Sequence, residues 1–339
     1  MKYGILRYPH QNARYFDATK HLLVSEIKVM MNALNIEAKH HNYEMVNGIE
    51  LYCFEIDDLT ERTLTALLQL SANYILFEFY DCYLKPMNEG KIPYFKKDLS
   101  SILKYSGKTN ETFTAMMINV GIFSSKFAKD FRSPLQILDP MCGRGTSLYQ
   151  GLIMGYNVSG IEINPKECDE INNYLKRYLK HNKYKHETSH QTIVIDKKKK
   201  GKKFTIETAN TTENYKKKDR RKIQFASGNT LDANDYYKKD SFHVIATDIP
   251  YGVQHSGSSK NDFIDMEKLL IQAAFAWYKV LKKGGSVVIS YNNFTLKKET
   301  LYNLFKKAGY KPLVNDPYNG FEHWVEQAVN RDIFVALKE

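Results

Sequence analysis

The sequence predicts an α/β fold, a doubly wound and mostly parallel sheet, preceded by a smaller N-terminal α+β domain. Three observations carry this reading. From about residue 101 onward, short apolar runs of strand type alternate regularly with amphipathic helical stretches. A glycine-rich turn, Asp139 to Thr146, follows the first of those runs. Residues 1–100 show strand and helix patterns without that regular succession.

In the N-terminal part, Tyr3–Arg7 is a short strand and Ala18–Leu34 carries apolar residues at helical spacing. Ile49–Ile56 alternates as a strand, Leu59–Leu70 reads as a helix and Tyr74–Tyr80 as a strand. The stretch Lys85–Lys97, with Pro86, Gly90 and Pro93, reads as the exit to the second domain, 101–339. There Leu135–Leu138 is an apolar run ending in Asp139, with a helix following through Leu152. Val158–Ile163 is the next strand and Pro165–Tyr178 the next helix. Strands at Ile223–Ala226 and Val244–Thr247 precede a long helix over Met266–Leu281, which Gly284 and Gly285 are expected to stop. Ser286–Ser290, a helix at Leu301–Ala308 and a last strand at Ile333–Leu337 complete the series. In such a sheet, ligands belong at the carboxyl ends of the strands.

The apolar fraction of 43% suffices for a packed core. No run of eighteen apolar residues exists, and residues 1–30 lack a signal peptide's basic start and apolar middle, so the expected location is the cytoplasm. Cys53, Cys82, Cys142 and Cys168 fall in no metal or disulfide spacing, so no metal is expected. The net charge of +11 is local: Lys197 to Lys222 holds twelve Lys/Arg against three acids. Residues 1–105 are near neutral, with twelve basic residues against thirteen acidic. Within an insertion at about 182–222, Gln191–Asp196 and Phe204–Thr208 read as two strands around a basic turn, Lys197–Lys203. The segment is either a phosphate-gripping finger or a solvated loop.

Asp139-Pro140-Met141-Cys142-Gly143-Arg144-Gly145-Thr146 ends a strand and opens a helix, and its glycines let backbone N–H groups approach a ligand. Glu162 and Ile163 end the next strand, about twenty residues on, where a carboxylate is placed to accept from ribose hydroxyls. Leu148 stands where a dinucleotide fingerprint would have its third glycine. Asn229 and Thr230 follow the third strand, and Asn229 suits the edge of an adenine. Three successive strand ends thus point at one nucleoside. Asp248-Ile249-Pro250-Tyr251 ends the fourth strand.

That tetrapeptide resembles the (Asp/Asn)-Pro-Pro-Tyr motif of amino methyltransferases acting on adenine, cytosine or guanine. Together with the Asp-Pro-x-Cys-Gly-x-Gly-Thr loop, it resembles the RNA methylase family, which includes THUMP-associated tRNA guanine-N2 methyltransferases. Lys108 to Phe113 is similar to that family's segment near the methionine end of the cofactor. The resemblance covers roughly residues 101–339. It implies a Rossmann-like class I methyltransferase sheet of seven strands, with S-adenosylmethionine as cofactor. The cofactor residues it implies are Thr109, Phe113, Asp139, Pro140, Met141, Gly143, Gly145, Thr146, Glu162, Ile163, Asn229, Thr230 and Asp248. It implies catalysis by Asp248 and the Ile249 carbonyl accepting the amine's hydrogens, Pro250 stiffening the turn and Tyr251 stacking on the base.

The expected substrate is RNA, most specifically guanine N2 of tRNA, with residues 1–100 as an RNA-binding unit, THUMP-like or unrelated. DNA adenine-N6 or cytosine-N4 methylation is the enzymatic alternative. The alternative of another class is a non-catalytic RNA-binding or partner-activating protein. Oligomeric state and any need for an activating partner stay open. One departure from the motif is Ile249, which replaces its first proline. Cys142 is expected to pack beneath the cofactor loop and not to act as a nucleophile, because no base has a motif-level reason to activate it. Gly257–Lys260 reads as a substrate loop, and the Asn330-Arg331-Asp332 turn as closing the last strands.

Overall fold

The computed structural model describes the chain except residues 11, 82, 88–92, 104–107, 196 and 251–259, and gives backbone alone for 195, 198–199 and 260–265. Part of the expected interdomain exit, Tyr251 and residues 257–259 therefore lie outside the described residues.

The N-terminal part runs β1 (Lys2–Arg7), α1 (Ala13–Leu34), β2 (Lys39–Val46), β3 (Ile49–Glu55), α2 (Glu61–Gln69), β4 (Asn73–Tyr80) and β5 (Tyr83–Pro86). Its five strands form an antiparallel sheet in the order β2-β3-β1-β4-β5. Helix α1 starts where Asn12 accepts from the Tyr15 N–H and ends where Asn35 turns left-handed at φ 55°. Two further strands, β2 and the short β5, join those read from the sequence.

The rest of the chain runs α3 (Asp98–Ser101), α4 (Glu111–Ser124), β6 (Gln136–Asp139), α5 (Thr146–Ile153), β7 (Asn157–Glu162), α6 (Pro165–His181), β8 (His186–Ile195) and β9 (Lys198–Thr208). It continues through α7 (Thr212–Lys216), β10 (Arg221–Ser227), α8 (Ala233–Tyr236), β11 (Phe242–Asp248), α9 (Lys260–Val280) and β12 (Leu281–Asn292). It ends with α10 (Lys298–Lys307), β13 (Tyr310–Leu313), β14 (His323–Glu326) and β15 (Val329–Lys338). The large sheet has ten strands, in the order β13-β15-β12-β11-β6-β7-β10-β9-β8, with β14 paired to β15.

The expected seven strands lie inside it as β10-β7-β6-β11-β12-β15-β13, and the pairs from β10 to β12 are parallel. The chain winds outward from β6 to β10, then crosses back to β11 on the other side of β6. That reversal opens the crevice in which ligands of such sheets bind. Both sheet faces are apolar, as the strand residues show: Val244, Ala246 and Val288 join one core, and Ile245, Val287 and Ile289 the other. Helices α4, α5 and α6 and the N-terminal part cover the first face, and α8, α9 and α10 cover the second. No helix among the described residues is long and apolar enough to cross a membrane.

Two expectations are corrected. Gly284 and Gly285 do not stop the long helix, which ends at Val280; both lie inside β12. They form a register shift against β11, where Gly284 takes φ 81° and a side chain on Gly285 would fall 2.8 Å from the His243 carbonyl. The insertion forms the two strands read from the sequence, as β8 and β9, but Lys198–Lys203, expected in the turn, belongs to β9. Its second strand pairs along the edge of β10, from Lys202 opposite Ser227 to Thr208 opposite Arg221, so the hairpin widens the sheet.

Candidate active site

A cavity of about 570 Å³ opens at the carboxyl edge of the central strands. Of the residues singled out in the sequence, Thr109, Asp139, Pro140, Met141, Gly143, Thr146, Glu162, Ile163, Asn229, Thr230, Asp248, Ile249 and Pro250 line it together. Phe113 and Gly145 do not. Phe113 is fully buried and packs against His323, while Gly145 takes φ 86° at the N-terminus of α5, facing Tyr149 and Ile171. Tyr251 lies outside the described residues.

Asp139 ties the two strands at the crossover together. Its buried carboxylate accepts from the Met141 N–H at 3.0 Å, from Thr247 Oγ1 at 2.7 Å and from Ser147 Oγ. Burial pushes its pKa up to about 6, with the hydroxyls and the Met141 N–H opposing. Glu162 holds the glycine loop: Oε2 accepts from the Gly143 N–H at 2.9 Å and Oε1 from the Asn164 N–H at 2.8 Å. A carboxylate has about four lone-pair sites, so both bonds leave it able to accept hydroxyls. Gly143 adopts φ 49°, and a side chain there would enter open space at the cavity wall.

Cys142 Sγ packs where a side chain on Gly160 would stand, 2.6 Å away, and burial raises its thiol well above the usual range. A protonated buried thiol is no nucleophile. On the third strand end, Asn229 Oδ1 accepts from the Leu231 N–H at 3.0 Å and Thr230 Oγ1 accepts from Trp277 Nε1 at 2.9 Å. The Asn229 amide therefore faces a ligand as donor more readily than as acceptor.

Asp248 ends β11 with its side chain one-fifth exposed, at 21%. Its Oδ2 accepts from Thr109 Oγ1 at 2.6 Å and lies 3.8 Å from the Arg331 guanidinium. Thr109 arrives there because α4 beds closely on β11 and β12. Gly121 makes this possible, since a side chain on it would fall 2.4 Å from Val244 Cγ1, and Ser286 Oγ donates to its carbonyl at 2.6 Å. The departure at Ile249 has a structural reason. Its N–H donates to the Ser290 carbonyl at 3.1 Å, a bond that proline cannot make, and its side chain is buried in the second core.

The sequence reading missed the contribution of the C-terminal strands. Arg331 belongs to β15 and not to a turn; it sits 4.8 Å over the Phe113 ring and beside Asp248. It gets there through two registers, Asp248 opposite Ser290 and Asn292 opposite Arg331. Glu326 and Val329, from the β14–β15 hairpin, also line the cavity. Beneath them His323 is buried, with its pKa pushed down to about 4 by that burial. No local motif marks any of these residues.

The RMKL-like methyltransferase domain model matches residues 129–308, just over half of the chain. Among solved structures, TrmN from Thermus thermophilus is similar at 13% identity and TM-score 0.41, over 76% of this chain and 55% of that one. The chain thus spans about half the length of TrmN. TehB from Haemophilus influenzae is similar at 16% identity and TM-score 0.34, over 62% of this chain and 60% of that one. The pre-rRNA processing protein fibrillarin from Methanococcus jannaschii is similar at 15% and 0.33, over 60% and 66%. Likenesses this distant decide neither reaction nor substrate. Among curated proteins none matches the sequence.

Proposed function

The chain belongs to the RMKL-like methyltransferase family and its cofactor is S-adenosylmethionine, and from that premise we propose that it methylates the exocyclic amine of an RNA base, specifically guanine N2 of tRNA. The observation that carries the proposal is Asp248: a carboxylate held by Thr109 and Arg331 in the same cavity as Gly143 and Glu162. The cavity's residues suit the cofactor. Gly143 leaves open space where any side chain would intrude, Glu162 offers ribose acceptors, and Asn229 offers amide donors.

Bound there, S-adenosylmethionine supplies an electrophilic methyl group. The chain's own residues must supply a nucleophile, and an exocyclic amine is a poor one because its lone pair is conjugated with the ring. Asp248 and the Ile249 carbonyl each accept one amine hydrogen, turning the lone pair out of that conjugation. The surplus proton leaves the amine for Asp248. Orientation and fixed charge account for the rate in this reading, without a covalent enzyme intermediate. The fixed charge includes Arg331, whose guanidinium lies 3.8 Å from the Asp248 carboxylate. The target base must be unpaired or flipped to reach Asp248. In the same reading, residues 1–100 act as an accessory unit to a methyltransferase domain over 101–339.

The test is transfer of labelled methyl to total tRNA and to genomic DNA in parallel, followed by nucleoside analysis. The expected result is label in N2-methylguanosine, reduced about 10²–10³-fold or more in Asp248→Ala. Label in DNA keeps the chemistry and overturns the substrate. Cofactor binding with no transfer to either polymer supports a non-catalytic protein.

A further inference from the structure

The basic segment Lys197–Lys222, with twelve Lys/Arg against three acids, carries most of the chain's net charge, but its two ends differ. At the end remote from the cavity most of the basic residues are paired. Arg220 lies 3.6 Å from Glu187 and 3.8 Å from Glu207, and Lys222 lies 3.7 Å from Glu207. Arg221 pairs with Asp219 at 2.6 Å and Lys217 with Glu213 at 2.6 Å. Four of the six basic residues at that end, Lys217, Arg220, Arg221 and Lys222, are paired in this way, and Lys216 and Lys218 stay exposed.

The turn end lies against the active site. Because β9 runs antiparallel to β10, its first residues stand beside the carboxyl end of β10, the edge on which the cavity opens. The approach is close: a side chain on Gly201 would fall 1.7 Å from the carbonyl of Ser227, the residue just before Gly228 and Asn229 in the cavity wall. Two lysines clamp the hairpin there. Lys203 Nζ donates to the Tyr236 carbonyl at 2.7 Å, and Lys200 pairs with Asp232 at 3.3 Å, three residues beyond Asn229. Lys197 and Lys202 remain exposed, with no carboxylate partner among the described residues.

We infer that this turn end, marked by Lys197 and Lys202, is a phosphate-binding rim that holds the backbone of the RNA whose base enters the cavity. The inference rests on the proposed function for its choice of polymer. A sheet-anchored lysine pair at the mouth contacts phosphates flanking the target base and leaves the base itself to Asp248. Contacts of this kind are salt-dependent, at about 0.7–0.9 in log–log slope per phosphate.

The test compares two charge reversals in the full chain. Lys197→Glu with Lys202→Glu alters the rim. Lys216→Glu with Lys218→Glu alters two exposed lysines at the remote end by the same net charge. Binding of unfractionated tRNA and of duplex DNA is measured by fluorescence anisotropy across a salt series, with cofactor binding by calorimetry as the check on folding. The rim variant is expected to bind tRNA at least about tenfold more weakly, with a salt slope lower by about 1–2. The remote variant is expected to stay within about twofold. Equal weakening by both variants, no weakening by either, wild-type protein that does not bind tRNA, or a rim effect confined to DNA overturns the inference. Rim-dependent tRNA binding without methyl transfer sustains it and sinks the proposed reaction instead.

Discussion

One wall of the cavity is made of residues 139–144, Thr146 and Glu162, the other of Thr109, Glu326 and Val329, with Arg331 beside Asp248 behind it, and the chain assembles the two by different means. In the first, each residue is placed by its own strand end and the turn after it, and the bonds that hold it are short in sequence or join adjacent strands. Gly143 to Glu162 and Met141 to Asp139 are examples. In the second, each residue arrives from a distant segment and is held by tertiary contacts, as Thr109 is by Asp248. The first wall suits a cofactor, which is the same in every turnover. In the proposed reaction the second wall lies on the side from which the base enters.

If that division holds, a change in either wall separates binding of cofactor from transfer. The largest effect is expected from Gly143→Val, which puts a side chain into the space at the cavity wall and strains a left-handed backbone. Calorimetry should show cofactor affinity reduced about 100-fold or more, roughly 3 kcal/mol. Arg331→Gln should act on the other wall alone. Methyl transfer falls about 10–100-fold, cofactor affinity stays within about threefold, and Arg331→Lys recovers part of the rate. A matching loss of cofactor affinity in Arg331→Gln would erase the division. The smallest effect is expected from Ile249→Pro, which restores the family's usual residue. It removes the N–H donated to Ser290 and empties apolar volume, so thermal unfolding should show about 1–3 kcal/mol of lost stability.

Legibility in the sequence follows the same line. The loop at 139–146, Glu162, Asn229 and Asp248 were readable because glycine, carboxylate and amide each sit at the end of an apolar run, a pattern local to about ten residues. Arg331 was not, because two strand registers bring it to Asp248 and registers leave no local mark. The glycine pair at 284–285 was misread for a related reason. Glycine marks either a helix end or a strand irregularity, and only the partner strand, through the His243 carbonyl, decides which. Only the second half of β9 was legible, because Phe204 and Ile206, both buried against the sheet, show the apolar alternation that the lysines at 198–203 lack. At the end of β11, the departure at Ile249 has no local reason, because the acceptor of its N–H is the Ser290 carbonyl on the neighbouring strand.

The hairpin has a further consequence, for the state of the molecule in concentrated solution. Without it the sheet would end at β10, whose Ile223 and Phe225 are fully buried, the latter stacked on Phe204 with ring centroids 5.0 Å apart. An apolar strand with an open row of N–H and C=O groups recruits strands from other molecules. With the hairpin in place the outermost strand is β8, whose residues from Glu187 to Thr192 are polar and exposed. The basic segment thus guards the sheet against self-assembly. A chain trimmed of it would trade a soluble edge for an adhesive one.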